Sequence, residues 1–96
     1  MMGTRSVERK LRKTSSRLRR LRDELAVIDE QLAHLVDDTD DKSVRALVAE
    51  SPAAAIEHRQ AVGHSEAMAG HRRHVIEEIG ALEAQQDKLL DELRLL

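Results

Sequence analysis

Ninety-six residues with 41% hydrophobic side chains, 35% charged ones and no Phe, Trp or Tyr lack the bulky apolar surface of a compact α/β or β-sandwich core. The absence of Cys excludes disulfides, thiol catalysis and thiolate metal sites. A formal net charge of -2 excludes a chain-wide attraction to nucleic acid or membrane, and no run of about 18 apolar residues supplies a membrane span. What remains is a narrow seam of Leu, Ile, Val, Met and Ala. That composition predicts an all-α fold, an antiparallel coiled-coil helical hairpin with a short third helix at its tip, in one domain over 1–96. The expected setting is a soluble cytoplasmic one, because the basic N-terminus is followed by no apolar signal stretch.

The first helix is predicted over about 6–36. Val7, Leu11, Thr14, Leu18, Leu21, Leu25, Ile28, Leu32 and Leu35 alternate steps of four and three, which is a coiled-coil seam with one polar exception at Thr14. Thr4 or Ser6 is available to cap its start, with Glu8 close behind. The run Asp37-Asp38-Thr39-Asp40-Asp41 then reads as an acidic turn over 37–40, because acids at a helix C-terminus oppose its dipole. A short helix follows over about 41–50, with Val44, Leu47 and Val48 on one face. Ser51 as N-cap and Pro52 at the first helical position start the long helix, about 52–94.

In the last helix Val75, Ile79, Leu82, Gln86, Leu89, Leu93 and Leu96 repeat the seam. Its first half is softer. The seam extends backward through Arg72, Ser65 and His58, and Gly63, Gly70 and Gly80 each cost about 1 kcal/mol of helix propensity. Pairing the helices so that partner numbers sum to about 100 sets Leu against Leu and Ile, and brings Thr14 opposite Gln86. Coincident polar positions of this kind fix register. One layer is discordant, because Ile28 faces Arg72, whose stem must lie across the seam.

The strongest functional lead is basic. Residues 5–22 carry nine Lys/Arg against Glu8 alone, whereas residues 77–96 carry six acids against Lys88 and Arg94. Arg9, Arg12, Lys13, Arg19 and Arg20 fall at outward heptad positions, as a candidate binding stripe, and Lys10, Arg17 and Arg22 flank the seam. A solvated face neutralised by the acidic last helix competes with docking on a phosphate backbone or an acidic protein surface. Without aromatics to stack on bases, sequence-specific single-strand recognition is disfavoured. The second lead is the acidic tip, Asp37, Asp38, Asp40 and Asp41, against the alternative of a solvated turn. Five histidines invite a zinc hypothesis, with His64, His71, His74 and His34 as its members. No HExxH spacing supports it, and scattered surface histidines are the preferred reading, so no metal and no cofactor are expected.

A coiled-coil finger with acids at its tip resembles, as architecture over 5–96, the hairpin of Gre-type transcription factors. That resemblance implies contact with RNA polymerase. The segment Leu21-Arg22-Asp23-Glu24-Leu25-Ala26-Val27-Ile28-Asp29-Glu30-Gln31-Leu32 resembles the first helix of small all-helical chorismate mutases, with Arg22 at that family's arginine. The other cationic positions of such a pocket find no match in the acidic turn. Arg45-Ala46-Leu47-Val48-Ala49-Glu50-Ser51-Pro52, with the Arg- and Ala-rich usage, looks like small uncharacterised coiled-coil proteins of actinobacteria. The resulting expectation is a non-enzymatic protein-interaction or adaptor module. Apolar residues off the seam (Val62, Ala69, Ile76 and Leu90; Val27, Ala33 and Val36) make a homodimer the expected partner. The alternative partner is nucleic acid or RNA polymerase.

Overall fold

The computed structural model describes residues 3–96 as two long α-helices, α1 (Thr4–Ala49) and α2 (Pro52–Leu95), with no strand among the described residues. Helix α1 ends where Glu50 takes a left-handed φ of 49° and donates its amide to the Ala46 carbonyl at 3.1 Å. That bond satisfies one of the orphan carbonyls of the last turn. Ser51 then caps α2. Its hydroxyl accepts from the Ala54 amide at 3.2 Å, and Pro52, which lacks an N–H, occupies the position where none is needed.

The acidic turn and the short third helix are not formed. Helix α1 runs unbroken through Asp37–Asp41 to Ala49. The dipole argument for a break fails because these acids lie more than a turn from either end of the helix, where the macrodipole no longer acts. Local bonds accommodate the run. Lys42 pairs with Asp38 one turn back at 3.1 Å, and the Thr39 hydroxyl donates to the Leu35 carbonyl at 2.9 Å. The seam also continues, since Leu35, Thr39, Lys42 and Ala46 are half-buried in the same alternation of fours and threes. A polar residue with an aliphatic stem and small side chains hold those positions, so hydrophobicity alone conceals the period.

Contacts divide the chain into two units: Met1–Leu25 with His74–Leu96, and Ala26–Arg73. In the first, Val7, Leu18, Leu21, Val75, Ile79 and Leu89 are buried, with Leu18 and Val75 enclosed most fully. Rising numbers on α1 meet falling numbers on α2 there. Ser15 accepts from the Gln86 amide at 3.0 Å, and Arg17 Nη2 donates to Glu78 Oε1 at 2.7 Å. The Ser15–Gln86 pair lies one residue from the expected register. Thr14 is buried as that register requires, but the Gln86 amide goes to Ser15, whose half-buried hydroxyl sits at the edge of the seam. The register also sets Lys10 beside Glu92, but the two form no ion pair among the described residues.

The second unit buries only Ile28 and Ala61 as apolar side chains. Its seam positions on α2 include His58, Ser65 and Arg72, all half-buried. Arg72 resolves the discordant layer by reaching sideways, its Nε donating to Asp29 Oδ1 at 2.5 Å. Leu35 and Met68 line two open surface grooves of about 380 and 490 Å³ in this unit.

Helix α2 continues through all three of its glycines. A methyl group at Gly63 or Gly80 would meet nothing within 4 Å. Gly63→Ala and Gly80→Ala are each expected to raise stability by about 0.8 kcal/mol through backbone entropy alone. Thermal unfolding followed by circular dichroism checks this, and a loss of stability in either variant would show that the glycine meets a neighbour.

Candidate interaction surfaces

The basic surface is built by helical spacing. Lys10, Lys13, Arg17 and Arg20 follow steps of three, four and three, so they rise along one flank of α1 and line a groove of about 300 Å³. Thr14 lies at its floor, and α2 supplies Leu82 and Gln85. Of the five outward cations expected from sequence, all are exposed, and Lys13 and Arg20 line this groove. Arg9, Arg12 and Arg19 do not. Lys10 and Arg17, read from sequence as flanking the seam, join the groove instead. The signal that reveals this grouping is the 10-13-17-20 spacing, which selects one flank where a count of outward positions mixes two.

The electrostatics of the groove are uneven. Arg17 is engaged by Glu78, with Glu24 also near enough to act on its charge. The hydrogen bond from Arg17 holds the Glu78 carboxyl below its ordinary value of 4.5. Partial desolvation opposes that effect, and the charges of Arg17 and His74 add to it. A carboxylate with a depressed folded pKa contributes stability that is present above its ordinary pKa and is lost as pH falls through the folded value. The Glu78 carboxyl followed by NMR is therefore expected to titrate below 4.5, and Arg17→Gln should move its midpoint back up towards that value. A midpoint unchanged by Arg17→Gln would remove the pairing from solution.

The acidic residues Asp37, Asp38, Asp40 and Asp41 are all exposed on α1. Asp38 is engaged by Lys42; Asp37, Asp40 and Asp41 have no ion pair among the described residues. Val44, Leu47 and Val48 stand one heptad beyond Asp37, Asp40 and Asp41, and so continue the same outward columns. Instead of packing as one face of a separate helix, they are 61%, 75% and 81% exposed. Ile56 adds a further exposed apolar side chain in this unit.

His34 borders one groove beside Leu35 and Met68, and His64 and His71 border the other. Among the described residues no three of His, Cys, Asp and Glu converge as a metal ion would require. Arg22 is exposed and lines none of these three grooves. No helix among the described residues is long and apolar enough to cross a membrane. Comparison with known proteins gives no relative: no family model, curated protein or solved structure matches the chain.

Proposed function

We propose that the chain is a non-enzymatic coiled-coil interaction module, its two helices paired antiparallel as a hairpin, that associates with a second copy of itself. The observation that carries this reading is the exposure of Val44, Leu47 and Val48 on columns of α1 that face away from its seam. A helix exposing consecutive apolar positions of this kind gains by covering them. The charge distribution supports a like partner. The unit containing residues 1–25 and 74–96 holds eleven Lys/Arg against nine Asp/Glu, and residues 26–73 hold five against nine. Units of opposite sign attract when the second unit of one copy meets the first unit of another.

Sedimentation over a range of concentrations tests the reading. Wild-type protein is expected to associate, and Leu47→Lys with Val48→Lys to shift it to monomer with unchanged helicity. A wild-type chain that stays monomeric at high concentration ends the proposal.

A second reading is docking on a phosphate backbone, favoured by the exposure of Arg9, Arg12, Lys13, Arg19 and Arg20. It predicts duplex binding that weakens steeply with salt. The net charge of -2 and the acidic side chains Glu24 and Glu78 beside Arg17 weigh against it.

A further inference from the structure

We infer that the groove lined by Lys10, Lys13, Arg17 and Arg20 receives the outward face of α1 from Asp37 to Val48 of a second copy of this chain. The inference rests on the self-association proposed above and names the surfaces that meet.

Three observations carry it. First, Lys10, Lys13 and Arg20 have no ion pair among the described residues, while Arg17 is held beside them by Glu78. The groove therefore offers three uncommitted cations along a row spanning about 15 Å of helix at 1.5 Å per residue. Second, α1 is helical through Asp37–Asp41, so Asp37, Asp40 and Asp41 form an ordered face rather than a solvated turn. These three carboxylates are uncommitted as well. Third, the same columns carry Val44, Leu47 and Val48, so acid and apolar groups together occupy residues 37–48, about 17 Å of helix.

The chemistry matches on both counts. Uncommitted cations face uncommitted carboxylates, and the apolar half of the incoming face finds Leu82 and the aliphatic stems of the lysines and arginines. The incoming segment is about as long as the cation row, with its carboxylates gathered over about 6 Å at one end and its apolar side chains over the rest. A nucleic-acid backbone would supply no apolar groups and would leave Val44, Leu47 and Val48 wet. The acidic, apolar face of a like chain places carboxylates on the free cations and covers both apolar surfaces.

Charge reversal in the full chain tests this. Lys13→Glu with Arg20→Glu reverses the groove, and Asp40→Lys with Asp41→Lys reverses the incoming face. All four side chains are exposed, so helicity measured by circular dichroism should match wild type. Each double variant alone is expected to raise the dissociation constant of self-association at least tenfold. An equimolar mixture of the two should recover association to within a few-fold of wild type, because each then presents the charge the other lacks.

Wild type that associates while neither variant changes the constant leaves self-association standing and overturns the groove pairing. A mixture as dissociated as either variant alone also overturns it. A groove variant that loses binding to a DNA duplex but associates like wild type assigns the groove to nucleic acid. Wild type that never associates overturns this inference and the reading beneath it together.

Discussion

Replacing Leu18 by alanine is expected to lower the unfolding free energy by about 3 kcal/mol. Leu18 is 1% exposed and, with Val75, the most fully enclosed side chain of the first unit. Truncation removes apolar area and leaves a cavity that two rigid helices cannot close. For a chain of this length the midpoint of thermal unfolding should fall on the order of 15 °C, with the urea m-value unchanged. Leu47→Ala is the matched control. It deletes the same atoms from a side chain that is 75% exposed and should cost less than about 0.5 kcal/mol in the monomer, so it is measured in dilute solution. Equal costs at the two sites would mean that Leu18 is not enclosed by the partner helix.

Asp40→Pro is expected to cost about 3 kcal/mol or more, because a helix interior loses an amide donor and meets the ring with the carbonyl four residues back. A turn over 37–40 would accept the same proline at little cost. The second unit buries only Ile28 and Ala61 as apolar side chains, so it has little packing with which to absorb the loss. Hydrogen exchange should show residues 26–73 losing protection while amides around Leu18 and Val75 keep theirs. Helicity and stability indistinguishable from wild type would return the acidic segment to a turn.

The all-α class was legible because the apolar period is strong in residues 7–35 and 75–96, and the Ser51-Pro52 start of α2 was legible because capping chemistry is local. The acidic run misled for a definable reason. Asp37 to Asp41 have poor helix propensity and a composition typical of turns, while the seam passing through them is carried by Thr39, Lys42 and Ala46. A period written in Thr and a lysine stem does not register as hydrophobic. The basic lead was legible as charge, but its grouping was not, because outward positions alone did not separate Lys13 and Arg20 from Arg9, Arg12 and Arg19.

By itself the sequence determined the helical class, the polar exception at Thr14 and Gln86, and the contrast between a well-packed first unit and a thinly packed second one. Each follows from side-chain type repeated at a fixed interval along one helix. Only the tertiary structure decided that Gln86 bonds Ser15, that Arg72 turns to Asp29, and that Leu82 and Gln85 of α2 line the groove with Lys10, Lys13, Arg17 and Arg20. Each of these depends on what an opposing helix offers a side chain at its position, and an interval along a single helix carries no record of that.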